Sequence, residues 1–166
     1  MYRKYQSLTT NLQPLTSNFQ PPTKMRILSI DYGTKRTGIA VTDPMQMIAT
    51  GLTTLHSKDA VDFIEKYLAK ENVETIVIGE PKTLQNKKSD SEVQIVPFIN
   101  RLKKKFPQLK IERYDERYTS KIAFQSLIDS GLKKKQRQDK KLVDVTSAVL
   151  ILQSYLESKE KENNRQ

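Results

Sequence analysis

Short apolar runs alternate with amphipathic stretches from residue 26 onward, and each run predicts one element of an α/β fold. The first half predicts strands at 26–31, 37–42, 49–55 and 75–79, with a helix at 58–70 before the last of them. Gly33 and Gly38 bracket the first connection, which predicts a tight turn and an antiparallel hairpin. Three strands followed by alternating helices and strands indicate a mixed sheet flanked by helices.

The second half continues this alternation to residue 158. It predicts a helix at 91–106, a strand at 109–114, a helix at 121–130, a basic loop at 133–141 and a last helix at 142–158. Pro97 predicts a kink in the first of these helices, or its start.

Both ends of the chain differ in composition from this regular part. Residues 1–24 are rich in Gln, Asn, Ser, Thr and Pro and are predicted to be a disordered extension, and 159–166 are predicted to be a charged tail. The expected domain therefore spans 25–158. Met25 directly precedes the first strand, and a translation start there is a hypothesis that the intact mass of the native protein would test.

Composition narrows the chemistry of any site. The 166 residues contain no cysteine, which excludes disulfides, so a protein of the reducing cytoplasm is expected. With one histidine as well, a zinc site is disfavoured. No apolar run is long enough to span a bilayer. The net charge is +10, and residues 25–166 alone carry +7, because 1–24 contain three basic residues and no acid. A basic surface suits nucleic acid, although a merely soluble basic protein has the same composition.

Three acids are candidates for a site, each with an alternative. Asp31 ends a buried strand, where it is either a metal ligand or a turn former. Glu116 follows another strand, where it is either a ligand or a solvated strand end, and because side chains alternate along a strand, only one of Asp115 and Glu116 should face the site. Asp144 either shares a helix face with the apolar residues after it or caps the helix.

Together, the three acids predict a carboxylate site for one or two Mg²⁺ or Mn²⁺ ions at one edge of the sheet. Such ions activate water for phosphodiester hydrolysis, so the sequence favours a metal-dependent nuclease. Five basic residues near the acids are candidates for binding phosphate, with solvated surface charge as the alternative; they are Lys35, Arg36, Arg117, Lys140 and Lys141.

Four motifs resemble the YqgF family, whose members are described as pre-16S rRNA nucleases or Holliday junction resolvases. The motifs are Asp31-Tyr32-Gly33-Thr34-Lys35-Arg36-Thr37-Gly38-Ile39-Ala40, Gly79-Glu80-Pro81, Asp115-Glu116-Arg117-Tyr118-Thr119 and Asp144-Val145-Thr146-Ser147-Ala148. The resemblance covers about residues 25–157 and implies a ribonuclease-H-like fold and a cytoplasmic nuclease that matures ribosomal RNA. It assigns the catalytic, metal-binding roles to Asp31, Glu116 and Asp144.

The chain departs from the family pattern in two motifs. Glu80 stands where an apolar residue is usual, so a fourth acid is a candidate to join or replace Glu116. Thr146 and Ser147 stand where alanine is common, a departure that we expect to matter little.

Other functions stay open at this point. The first motif also resembles the phosphate motif of sugar kinases and actin-like ATPases, but the chain is too short for the second domain that those proteins need. A non-catalytic RNA-binding factor for ribosome assembly is the other alternative. Within the nuclease hypothesis, the sequence does not choose between precursor rRNA and branched DNA.

Overall fold

The elements follow the predicted order in the computed structural model, which describes residues 25–80, 92–115, 125, 129 and 139–165. They are β1 (Arg26–Tyr32), β2 (Arg36–Thr42), β3 (Ala49–His56), a 3-10 turn (Ser57–Asp59), α1 (Ala60–Leu68), β4 (Val73–Glu80), α2 (Glu92–Lys105), β5 (Lys110–Asp115) and α3 (Lys140–Asn163). Each of the five strands, α1 and α2 lies within two residues of its predicted bounds.

The described strands form one mixed sheet in the order β3-β2-β1-β4-β5. Strand β1 pairs antiparallel with β2, which confirms the predicted hairpin, and β2 pairs antiparallel with β3. The pairs β1–β4 and β4–β5 are parallel, so these three strands end at the same edge of the sheet. The α/β class with a mixed, helix-flanked sheet is confirmed.

Two apolar clusters cover the two faces of the sheet. Helices α1 and α2 pack on one face, and the cluster there includes Leu28 and Ile30 of β1. Helix α3 packs on the other face, where the cluster includes Ile27 of β1. Because side chains alternate along a strand, Ser29 and Asp31 of β1 lie on the α3 face.

Helix α3 is attached to the sheet by hydroxyl groups as well as by apolar packing. Ser29 Oγ donates to the carbonyl oxygen of Ala148 at 2.7 Å, and this hydrogen bond is buried. Thr54 Oγ1 donates to the carbonyl oxygen of Lys141, also at 2.7 Å. These contacts hold the first turns of α3 above β1, β2 and β3.

Gly38 of β2 marks the closest approach of α3 to the sheet. A Cβ atom at this position would lie 2.0 Å from the carbonyl oxygen of Asp144 and 2.4 Å from its carbonyl carbon. Only a residue without a side chain fits between these two backbones. The prediction that Gly38 serves the turn is therefore incomplete, because its place inside β2 lets the helix dock.

Helix α3 is longer than predicted at both ends. It begins at Lys140 because the Asp139 carboxylate accepts a hydrogen bond from the Lys141 backbone N–H at 2.9 Å, as an N-cap does. The interpretation of Asp144 as the cap is therefore wrong, and so is the placement of Lys140 and Lys141 in a loop. The helix continues to Asn163, into the predicted charged tail. Within that tail the Lys159 ammonium lies 5.5 Å from the Tyr155 ring centroid, in a cation–π contact.

Several predictions fall on other parts of the chain. Pro97 lies inside α2, so its interpretation as the start of the helix is wrong. Of the predicted helix 121–130 only Gln125 and Asp129 are described, and both are helical. The extension 1–24 and the basic residues 133–138 of the predicted loop lie outside the described residues. Over the residues that are described, no helix is long and apolar enough to cross a bilayer.

Candidate active site

Asp31 lies near the carboxyl end of β1, on the sheet face that α3 covers. It is paired in register with Gly38 of β2, the residue that the α3 backbone contacts. Its carboxylate accepts a hydrogen bond from the hydroxyl of Ser147, a buried residue of α3. Strand and helix therefore enclose this acid from two sides.

The environment of Asp31 makes its charged form costly. Burial and the nearby carboxylate of Asp144 together raise the pKa of Asp31 from 3.8 to about 7, and the Ser147 hydrogen bond opposes this rise. A carboxyl group with a pKa this far above its ordinary value is typical of functional sites, where a substrate or a cation supplies the missing charge.

Asp144 is the second acid at this edge, and α3 holds it beside β2. Its Oδ2 atom accepts a hydrogen bond from Arg36 Nε at 2.7 Å in a partly buried ion pair. The structure therefore brings together three predicted site residues, Asp31, Asp144 and Arg36. Of the two interpretations of Asp144, the helix face directed at the sheet is the correct one.

The turn that carries Lys35 and Arg36 is braced by the 3-10 turn after β3. Ser57 Oγ donates to the Gly33 carbonyl at 2.6 Å, and the Ser57 N–H donates to the Lys35 carbonyl at 3.2 Å. Thr37 Oγ1 in turn donates to Ser57 Oγ at 3.0 Å. The turn therefore has a fixed backbone, and sequence reasoning missed this brace because no motif singles out Ser57.

Glu80 and Asp115 lie on the opposite face of the sheet from Asp31. Strand β4 directs Val77 to α3 and its neighbours in the strand to α1 and α2, and by the same alternation Glu80 belongs to the α1 and α2 face. In β5, Tyr114 donates to a carbonyl of α3, whereas Arg113 pairs with Glu92 of α2, so Asp115 shares the Arg113 face. Neither acid shares the face of Asp31.

Of the remaining predicted site residues, three lysines are exposed and two residues lie outside the described part of the chain. Lys35 is exposed in the turn after β1, and Lys140 and Lys141 are exposed in the first turn of α3. Glu116 and Arg117 lie outside the described residues. Among the residues with described positions, no three His, Cys, Asp or Glu side chains cluster closely enough to hold a metal ion. The described site therefore contains two carboxylates, and Glu116 stays a prediction for the third.

Ser147 is a site residue that the sequence analysis dismissed. Its buried hydroxyl contacts Asp31, so the expectation that this departure matters little stays a prediction, which the substitution below tests. A signal was available: Ser147 follows Asp144 by three residues, and residues at this spacing lie on the same side of a helix.

Replacing Ser147 by alanine is expected to raise the pKa of Asp31 further. The hydroxyl donates to the charged form of the carboxylate, so its removal favours the protonated form. The measurement is a pH titration of the Asp31 side-chain carboxyl carbon by NMR without divalent cations. The control is Thr146→Val, because Thr146 Oγ1 donates to the Leu142 carbonyl within the helix. A lower Asp31 pKa in Ser147→Ala would contradict the described contact.

Comparison with known protein families identifies a match over all five described strands and most of α3. A model for the RuvX family, described as "Holliday junction resolvase", matches residues 25–158. The match begins one residue before β1 and ends within α3, so it includes both acids of the site and leaves residues 1–24 outside.

Curated relatives cover the same part of the chain. A protein of Phocaeicola vulgatus is 58% identical over 134 residues, which are 81% of this chain and 96% of the relative. Proteins of Flavobacterium psychrophilum and Bacteroides thetaiotaomicron are 57% and 54% identical over the same length, covering 98% and 97% of their own chains. All three carry the name "Putative pre-16S rRNA nuclease".

Proposed function

Because the chain belongs to the RuvX family, which is also called YqgF, we propose that it is a metal-dependent nuclease that matures precursor 16S rRNA. The observation that carries this proposal is the convergence of Asp31 and Asp144, which are 113 residues apart in sequence, at one edge of the sheet. The substrate follows the name of the curated relatives, which are more than half identical to this chain over 134 aligned residues.

The two carboxylates fit a hard divalent cation. Mg²⁺ is commonly bound by one or two carboxylates together with substrate phosphates, and Mn²⁺ accepts the same oxygen ligands. Asp31 and Asp144 would hold the cation, with Glu116 as the proposed third ligand. When bound, the cation supplies an activated water and stabilises the leaving oxygen of the phosphodiester.

Asp31 couples cation binding to pH. Its carboxyl holds a proton below about pH 7, and this proton must leave before both oxygens can act as ligands. Cation affinity is therefore expected to fall as the pH drops below 7. The Ser147 hydroxyl orients the carboxylate and favours its charged form.

Basic residues of the described surface would bind the nucleic-acid backbone. Lys35 is exposed on the braced turn, and Lys140 and Lys141 are exposed in the first turn of α3 beside Asp144. The helix N-terminus adds partial positive charge at the same place. We propose that these three lysines, with Arg36 and Arg117, bind phosphates on both sides of the scissile bond, and that the protein acts in ribosome biogenesis in the cytoplasm.

A second candidate function is resolution of Holliday junctions, which the description of the family model favours. The same two carboxylates would serve phosphodiester hydrolysis in branched DNA. The two functions differ in the substrate and share the proposed chemistry.

A cleavage assay on both substrates tests the proposal. A labelled precursor of 16S rRNA and a four-way DNA junction are incubated with the protein in Mg²⁺, Mn²⁺ or EDTA, alongside Asp31→Asn. We expect cutting of the rRNA precursor with either cation, and none in EDTA or with the variant. Preferred cutting of the junction would replace the first function by the second. Binding of RNA without cutting would contradict both, and would leave a non-catalytic assembly factor.

A further inference from the structure

The ion pair between Arg36 and Asp144 occupies one of the two carboxylates that the proposed function assigns to the cation. Arg36 Nε lies 2.7 Å from Asp144 Oδ2, and the two side chains are 35% and 22% exposed. This is a charge-assisted hydrogen bond in a partly enclosed place, where it is stronger than an exposed surface pair. Arg36 therefore supplies the positive charge beside Asp144 in the structure as it stands.

A guanidinium and a divalent cation are competitors for this carboxylate. Both carry positive charge, and both would lie within a few ångströms of the same oxygen, where they repel each other. A divalent cation bound by Asp31 and Asp144 neutralises both acids, so the Arg36 side chain loses the excess negative charge that holds it. Its favourable partner is then an anion that approaches the cation, such as a phosphate.

The local structure allows the side chain to move without the backbone. The Gly33 N–H donates to the Arg36 carbonyl at 2.9 Å, and Ser57 braces the same turn through Gly33 and Lys35. These bonds involve no side-chain atom of Arg36. The partly exposed guanidinium can therefore rotate away from Asp144 while β2 stays in register.

We propose that Arg36 is a displaceable partner of Asp144: it competes with the divalent cation for this carboxylate and, once displaced, binds a substrate phosphate. The inference rests on the proposed function, because it assumes that Asp144 holds the cation. Its consequence is that cation and nucleic acid bind cooperatively. The cation releases Arg36 from Asp144 to bind a phosphate, and a phosphate that binds Arg36 leaves Asp144 open to the cation.

Mn²⁺ binding to the whole chain, without substrate, tests the competition. Free Mn²⁺ is measured by electron paramagnetic resonance during titration of the wild type, Arg36→Gln and Lys35→Gln. The two variants lose the same charge from the same turn, but only Arg36 contacts Asp144. We expect Arg36→Gln to bind Mn²⁺ about five-fold more tightly than the wild type, because this change in affinity corresponds to the free energy of a modest ion pair. Lys35→Gln should stay within about two-fold of the wild type, as expected for an exposed charge.

A second measurement uses the wild type and so does not depend on a variant that folds. The Arg36 Nε–H group donates to Asp144, so we expect the exchange of its side-chain NMR signal with water to be slow in the protein without cation. We expect Mg²⁺ to shift this signal and to speed its exchange.

The outcomes separate this inference from the function on which it rests. If the wild type binds Mn²⁺ but Arg36→Gln binds it equally well or more weakly, and Mg²⁺ leaves the Nε–H signal unchanged, the competition is refuted and the metal site stands. If the wild type binds no Mn²⁺, or Asp144→Asn binds it as well as the wild type, the proposed site itself is refuted.

Discussion

Replacing Asp31 by asparagine is expected to lower the rate of cation-dependent cleavage by at least about 10³-fold while making the folded protein more stable at pH 8. The loss of rate follows from the loss of a charged ligand, because asparagine has the shape of aspartate but cannot supply its negative charge. The gain in stability follows from the pKa of this carboxyl group, which is about 7 in the folded protein and near 3.8 when it is unperturbed.

The direction of the stability change depends on pH. Between pH 4 and pH 7 the folded wild type holds a proton on Asp31 that the unfolded chain has lost, so its stability falls as the pH rises. Above pH 7 Asp31 is charged in the folded wild type, so the full free-energy cost of an enclosed carboxylate lowers the stability of that protein. Asparagine has no such cost, so the advantage of the variant should be near zero at pH 4 and reach about 2–4 kcal/mol at pH 8.

Urea unfolding of both proteins at several pH values in EDTA measures this difference. Adding Mg²⁺ at pH 8 should stabilise the wild type more than the variant, because only the wild type keeps both ligands. The control for cleavage is Glu80→Gln, which removes a carboxylate from the opposite face and should keep activity. An Asp31→Asn protein that is less stable than the wild type at pH 8 would contradict the described environment of Asp31.

Replacing Gly38 by alanine is expected to lower the free energy of unfolding by about 3 kcal/mol and to abolish cleavage. The new Cβ would meet the carbonyl group of Asp144 at 2.0–2.4 Å, and both partners are backbone, one in an inner strand and one in a helix. The helix must therefore move away from the sheet. That movement separates Asp144 from Asp31, so stability and activity are lost together.

Gly51→Ala is the matched control for this change. Gly51 lies in β3 under the same helix, but the added Cβ would meet a side-chain methyl group of Val145, at 2.9 Å. A valine side chain can shift more readily than a carbonyl group, so we expect a loss of about 1 kcal/mol and retained cleavage. Thermal unfolding of both variants measures the contrast. Equal melting temperatures for Gly38→Ala and the wild type would show that the helix does not approach β2 as closely as described.

The sequence predicts the elements well because its apolar periods are regular, and it predicts Asp31 and Asp144 because each breaks such a pattern. Asp31 ends an apolar run, and Asp144 lies on the otherwise apolar face of a helix. The start of α3 was missed because Asp139, the true cap, lies within a run of basic residues.

The contacts within the site were beyond reach of the sequence. The partners of Ser57 depend on how the 3-10 turn after β3 is placed against the turn after β1. Those of Arg36 and Ser147 depend on how a helix near the carboxyl end is placed against the hairpin near residue 35. No local pattern encodes that placement. Gly38 shows the same limit, since its residue type suggests a turn while its actual neighbour is the backbone of α3, more than 100 residues further along the chain.

The buried bond between Ser29 and the Ala148 carbonyl joins the first strand to the last helix across 119 residues. In a chain under synthesis, Asp31 emerges early but has no Asp144 beside it until α3 has left the ribosome and docked. A chain interrupted before residue 139 would keep the hairpin sequence and lack Asp144 altogether. Synthesis through α3 is thus a precondition for assembling the proposed nuclease centre, and chains interrupted before it are expected to lack its cation-dependent activity.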